Sequence, residues 1–241
     1  MLDLIIPYKQ TQDDGYELRY ALRALDKFGS GYDKVSIVGL FKYPSWIKPE
    51  ITMPVPFGDD KNPAKNIMNK VFFFCKVNFV SDDFLFYNDD FFLTKPIDFT
   101  NYPNYYCGDL GELIEGRKEK FDAYRIQADN TYEALAMRGK QTLNFDMHCP
   151  IIYNKQKFIE VMQQYDWNKS QGYCVKSLYA NHLKLPVTYM ADNNYTPAYG
   201  TLKASVTKGH IFSLHPSGLT DEMKTFLETT YDKPSKWEIN Y

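Results

Sequence analysis

Phe84-Leu85-Phe86-Tyr87-Asn88-Asp89-Asp90-Phe91-Phe92-Leu93 is an apolar run interrupted by one amide and two carboxylates. Its first half reads as a strand following a turn at Ser81-Asp82-Asp83. Alternation sets Phe84, Phe86 and Asn88 on one side, and Leu85, Tyr87 and Asp89 on the other. If the strand stops at Asn88, the two acids are released from that alternation. In open α/β sheets the ligand crevice lies beyond the carboxyl ends of the strands. Carboxylates set among apolar residues need partners, because an unpaired buried charge is costly. A divalent cation held against a phosphorylated substrate meets that need. A helix cap or a salt bridge to one of the chain's basic residues meets it equally well, and residue type alone leaves both open.

The flanking sequence supplies the rest of an α/β sheet. Leu2 to Pro7 is a short apolar strand, followed by a polar loop from Tyr8 to Gly15. Leu18, Leu22 and Leu25 then recur at helical spacing within 16–28. Asp14 is a candidate cap for that helix, and Gly29 and Gly31 can end it. Lys34 to Gly39 is a second strand, and strand–helix–strand is the opening of an α/β sheet. Further helices are expected from Pro63 or Ala64 to about Phe79, over 124–138, over 155–164 with Asn154 as cap, and over 172–183. Short strands are expected at 187–190 and 211–214, and a last helix at 221–229 with Thr220 as cap. Residues 94–123 read as irregular, with a solvated run of mixed sign at 115–120, and Lys203 and Lys208-Gly209-His210 lie in or beside a loop before the strand at 211–214. The expectation is α/β: a single mixed-sheet domain over 1–241, flanked by helices. The C-terminal helix and tail (about 220–241) would pack on it, pinned by Trp237.

Bulk properties narrow the function. The chain has 241 residues with 28 basic and 30 acidic side chains, a net charge of −2. That balance gives no extended basic footprint for nucleic acid and argues against a nuclease. Its 20 Tyr and 17 Phe suit a polar-aromatic cleft of the kind on which sugars or bases stack. The four cysteines form no CxxC pair, so zinc-ribbon and dithiol readings are poor. No apolar stretch reaches membrane-spanning length, and charges from Asp3 onward argue against a signal peptide. A soluble, cytoplasmic protein is the expectation.

Other residues are candidates for chemistry. Arg19 and Arg23 share one side of the first helix, either facing solvent or aimed at phosphate oxygens, which guanidinium forks fit well. Asn66 and Lys70 are four apart on the next helix and could face the mouth of the sheet. His148, between Asp146 and Pro150, could move a proton or contact a phosphate, or be a packed histidine. His210 and the lysines Lys203 and Lys208 could contact an anionic substrate.

Several of these stretches together resemble the Stealth family of sugar-phosphate transferases. Glu17-Leu18-Arg19-Tyr20-Ala21-Leu22-Arg23-Ala24-Leu25 resembles its "ELRYSLRSL" helix, and Phe84 to Leu93 its "FIYxNDDxFL" segment. Pro44-Ser45-Trp46-Ile47 is similar to its "PxWL" turn. His148-Cys149-Pro150 is similar to its "HxP" block, and Lys233 to Glu238 to its closing "fPxPSxFE" block. The first strand departs from the family's "YTWVDG", reading Leu4-Ile5-Ile6-Pro7-Tyr8-Lys9 instead. The resemblance implies a GT-A-like architecture, a nucleotide-sugar donor (usually a UDP-hexose), and transfer of sugar-1-phosphate to a hydroxyl of a glycan or related acceptor. It implies Mg²⁺ or Mn²⁺ on Asp89 and Asp90, with Asn88 orienting a carboxylate or a sugar hydroxyl. Arg19 and Arg23 would neutralise phosphate, and His148 would be the acid/base. His210 and Lys208 would make a second phosphate contact, and Asn66 would touch sugar or base. A GT-A-type glycosyltransferase that moves only the sugar, and a non-catalytic carbohydrate-binding or assembly protein, are the alternatives.

Overall fold

The computed structural model describes residues 2–117, 119, 122–198 and 200–239. The chain begins with β1 (Leu2–Pro7), α1 (Tyr16–Phe28), β2 (Gly29–Ser30), β3 (Tyr32–Gly39), β4 (Thr52–Pro54) and α2 (Pro63–Cys75). It continues through β5 (Asp83–Phe86), β6 (Phe91–Leu93), β7 (Ile97–Asp98), β8 (Tyr105–Tyr106), α3 (Leu110–Gly116) and α4 (Ala123–Ala136). Then come β9 (Ile151–Asn154), α5 (Lys155–Met162), α6 (Val175–Leu183), β10 (Thr188–Tyr189) and β11 (Asn194–Tyr195). The last elements are α7 (Leu202–Lys208), β12 (Ile211–Leu214) and α8 (Asp221–Thr230).

The central sheet has the order β4-β3-β1-β5-β9. The first four strands are parallel, and β9 runs antiparallel to β5. Leu4, Ile5 and Ile6 are all fully buried, the continuous apolar run that a strand covered on both faces requires. Leu4, Ile6, Val35, Ile37 and Leu85 pack with Leu18, Leu22 and Leu25 of α1. Ile5, Val38, Phe84 and Phe86 pack with residues of α2, α5 and α6 on the opposite face. The α/β fold with a mixed sheet between helices is therefore as expected, and so is the alternation of β5.

A second small sheet, β11-β12-β6, adjoins the first. Only Tyr87 to Asp90 separates β5 from β6, so the acidic pair stands where the chain leaves one sheet and enters the other. Tyr87 Oη donates to the Phe91 carbonyl at 2.9 Å and holds this corner.

Some local expectations need correction. Asp14 does not cap α1: its carboxylate accepts from Ser45 N and Oγ, and left-handed Gly15 (φ 71°) occupies the cap position. α2 stops at Cys75, where Lys76 N turns back onto the Phe73 and Phe74 carbonyls. The stretch 94–123 holds β7, β8 and α3, the helix being capped by Asp109 through Gly111 N. Within the expected mixed-sign run, 118 and 120 lie outside the described residues, as does 121 just beyond it. Lys203 and Lys208 lie in a helix that the sequence did not announce, α7, which starts where Thr201 accepts from Ala204 N; Gly209 and His210 lie beyond its end. α6 begins at Val175, after a turn in which Gly172 has φ 65°.

The C-terminal segment closes over α1, its last two residues, 240 and 241, lying outside the described ones. Trp237 is buried; its carbonyl accepts from Lys48 N at 2.9 Å, and Ile239 N donates to the Trp46 carbonyl at 2.7 Å. Another joint lies at Gly31, whose φ is +81°. A Cβ there would stand 2.2 Å from Asp98 Oδ1 and 2.7 Å from Thr100 N. Gly31→Ala combines positive-φ strain with a backbone clash, so a loss of about 1–3 kcal/mol is expected in urea unfolding.

Candidate active site

β1 has β3 on one side and β5 on the other. The chain winds outward from β1 to β3 and β4, then returns to lay β5 on the opposite side. In open α/β sheets such a reversal of strand order marks the ligand crevice, here past the carboxyl ends of β1 and β5. Tyr8 follows β1 with its N–H on the Val38 carbonyl, and Tyr87 follows β5 with its N–H on the Ile5 carbonyl. Asn88, Asp89 and Asp90 come next, all half-buried.

The crevice is strongly acidic. Burial pushes Asp89 up to about 8, helped by Asp90 and Glu17. Burial likewise raises Glu17 to about 7, with Asp90 and Asp13 adding to it. Asp90 is raised by burial, against the pull of His148 and Lys176. Its Oδ1 is buried and has no hydrogen-bond partner among the described residues. Glu17 opens the Glu17–Leu25 stretch quoted above, but that pattern gives it no role; the packing of α1 brings it near the pair.

Lys70 is buried and donates to the Tyr8 carbonyl and to Asp59 Oδ1, both at 2.6 Å. Burial pushes the Asp59 carboxyl up, but the hydrogen bonds from Lys70 and Asn66 overcome this and leave it below its ordinary value. Asn66 is buried as well, and its Oδ1 accepts from Asp60 N at 3.1 Å. The structure thus places Asn66 and Lys70 in support of the loop beside β1 and of the end of that strand.

Arg19 and Arg23 are committed elsewhere than to phosphate. Arg23 forks onto Glu238, Nε to Oε1 at 2.7 Å and Nη2 to Oε2 at 2.9 Å. Arg19 Nε reaches Glu238 Oε2 at 2.7 Å. The Glu238 carboxylate is almost wholly buried and also accepts from Ser235 N. A buried carboxylate needs compensating donors, and these two arginines supply them.

His148 lies at the centre of a second network. Its Nδ1 pairs with Asp192 Oδ2 at 2.7 Å, and its backbone N–H donates to Asp192 Oδ1 at 2.9 Å. Its Nε2 meets Asn194 Nδ2 at 3.1 Å. Burial pulls the imidazole pKa down, but the hydrogen bond and charge of Asp192 outweigh it and hold the pKa above its ordinary value. Lys176, buried, donates to the Met147 and Cys149 carbonyls at 2.6 and 2.8 Å. Its ammonium also lies over the Phe86 and Phe91 rings, tying the His148 segment to the strands that flank the acidic pair. With the carboxylate removed, burial dominates. Asp192→Asn is therefore expected to bring the His148 pKa below its ordinary value, read by NMR titration of the imidazole.

His148 also lines a cavity of about 460 Å³ shared with Lys208 and His210. Asp89 and Asp90 do not line it, but His148 is close enough to Asp90 for each to shift the other's titration. Of the residues expected in a site, His148, Lys208 and His210 are brought together, and Asn88, Asp89 and Asp90 form an adjoining group.

Whether the acidic pair suits a cation is decided by its donors. No group of three or more His, Cys, Asp or Glu is placed to hold a metal among the described residues. Two carboxylates with one unsatisfied oxygen instead suit a hard cation that takes its remaining ligands from phosphate oxygens and water, as Mg²⁺ does. The pair fits as an open, two-residue site. Among the described residues no helix is long and apolar enough to cross a membrane.

No protein-family model and no curated protein matches the sequence, so the Stealth resemblance stands on the short motifs quoted above. Among solved structures, the chain is similar to an active-site mutant of LgtC, with 12% identity and a TM-score of 0.44 over 95% of this chain and 96% of that one. It is similar at 11% identity, again with a TM-score of 0.44, to a glycosyltransferase involved in glycosylation of the major capsid of PBCV-1. That match covers 95% of this chain and 100% of the other.

Proposed function

We propose that the chain is a transferase of GT-A-like architecture that uses a nucleotide-sugar donor, a UDP-hexose by preference, and moves the sugar to a hydroxyl acceptor. The observation that carries this reading is the unsatisfied, buried Oδ1 of Asp90 beside Asp89, at the carboxyl-end crevice where strand order reverses. Asp89 and Asp90 would hold Mg²⁺ or Mn²⁺, which supplies neutralisation of the donor diphosphate and of the departing nucleoside diphosphate. Asn88 orients the pair. His148 accepts the proton of the acceptor hydroxyl at Nε2, the hydroxyl taking the place of the Asn194 amide there, while Asp192 on Nδ1 fixes the tautomer and steadies the imidazolium that forms. The acceptor oxygen bonds to the anomeric carbon, and the bond from that carbon to the diphosphate breaks.

Transfer of sugar-1-phosphate is the finer reading that the Stealth motifs suggest. It calls for phosphate-neutralising arginines, and Arg19 and Arg23 are held by Glu238. This engagement favours sugar transfer. Incubation with a panel of nucleotide sugars and Mn²⁺ tests the choice by the nucleotide product. UDP whose formation depends on an added hydroxyl acceptor supports glycosyl transfer, and UMP supports phosphotransfer. Absence of both, together with metal-independent glycan binding, overturns the enzymatic reading in favour of a carbohydrate-binding protein.

A further inference from the structure

We propose that the cavity beside His148 is the acceptor site, and that it takes a sugar or related polyol carrying an acidic group. The proposal rests on the reading that the donor occupies the crevice at Asp89 and Asp90. At about 460 Å³ the cavity has the volume of a small-ligand pocket. One wall is apolar: Tyr102 and Tyr105 lie edge to face, 5.4 Å between centroids, with Met190 and Ile97 beside them. Such rings receive the C–H face of a sugar. The lining also carries Lys208 and His210, which can donate to hydroxyls and anions, and His148; Asn193 gives both amide N–H groups to the Ser205 and Ile211 carbonyls and keeps its oxygen to accept from a hydroxyl.

The supply of N–H donors separates this cavity from the crevice. Lys208 is the one Lys or Arg among its lining residues, and Asp98 the one carboxylate. Oδ1 of Asp98 accepts from Thr100 N and Oγ1, which hold that carboxylate ionised and turned to its own loop, so the donors left for a ligand are those of Lys208 and His210. Lys208 spends one N–H on the Asp192 carbonyl and keeps two for a ligand. His210 is exposed next to it. The crevice, by contrast, gathers Glu17, Asp89 and Asp90. An acidic substituent finds its N–H donors at Lys208 and His210, which turns the opposite, hydroxyl-bearing edge of the acceptor towards His148.

The test is titration of the full chain with methyl glucuronide, methyl glucoside 6-phosphate and neutral methyl glucoside, followed by NMR or calorimetry. The acidic glycosides are expected to bind about tenfold more tightly than the neutral one, in keeping with a charge-assisted hydrogen bond. Which of the two binds better identifies carboxylate or phosphate as the source. Lys208→Met is expected to erase the preference. His210→Gln, an exposed change that spares the fold, is expected to reduce it. Equal binding of all three glycosides, or a preference untouched by both variants, overturns the proposal. UDP-hexose binding with Mn²⁺ on the same samples tests the donor reading separately. Acidic-glycoside binding without UDP-hexose binding overturns the donor reading and supports the cavity's ligand class; the reverse overturns the acceptor assignment alone.

Discussion

Glu238→Gln is expected to lower the stability of the chain by about 3–5 kcal/mol, the usual cost of removing one partner from a buried ion pair. The carboxylate is about 1% exposed and Arg23 9%, so solvent does little to compensate. The substitution leaves two guanidinium groups facing an amide, one of them buried. For a chain of this size the loss corresponds to a fall in Tm of roughly 10 °C. Urea unfolding gives the energy directly, and a change below about 1 kcal/mol would refute this account of the clasp. The sign of the pH dependence follows from the same contact. Burial raises the Glu238 carboxyl, but Arg23, Ser235 N and Arg19 outweigh it and leave the folded value below the ordinary 4.5. The contribution is therefore complete above about pH 4.5 and is lost as pH falls through the folded value. The Gln variant lacks that part of the acid-unfolding profile.

Asp89→Asn and Asp90→Asn are expected to have opposite effects on activity and stability. Each removes half of a carboxylate pair that would hold a cation against the diphosphate, with a loss of turnover on the order of 10²–10³-fold. Each also replaces a half-buried carboxyl whose ionised form is disfavoured by folding, chiefly by burial, so a gain of about 1–2 kcal/mol is expected in the metal-free protein at neutral pH. Nucleotide release from UDP-hexose reads the first effect, and thermal unfolding with chelator reads the second. Added Mn²⁺ should raise the Tm of the wild type and leave both variants unchanged. Retained turnover with an unchanged response to Mn²⁺ would sink the metal assignment.

These two cases show what the sequence could and could not disclose. The central strands were legible because a strand covered on both faces becomes an unbroken apolar run, as in Leu4-Ile5-Ile6. The acidic corner was legible because Asp89 and Asp90 follow such a strand without a gap. The fate of Arg19 and Arg23 was not legible, for helical spacing states which residues share a side and not what lies opposite. Their partner, Glu238, is more than two hundred residues away in the chain. Asp192 was hidden from His148 for the same reason, and Glu17 from Asp90. α7 went unread because Leu202–Lys208 has too few apolar residues to show a period, and its start rests on one threonine hydroxyl.

The Asn194 contact gives His148 a visible gauge. In the neutral ring Nε2 is an acceptor and the amide presents its NH₂ to it, while Ser213 Oγ donates to the amide oxygen at 3.3 Å. A charged ring has a proton on Nε2 and calls for the oxygen instead. Ser213 belongs to β12, is fully buried, and sits on the far side of that amide. Replacing Ser213 therefore biases which way the Asn194 amide faces, and through it how readily His148 takes up a proton, from a position whose hydroxyl bonds the amide and not the ring.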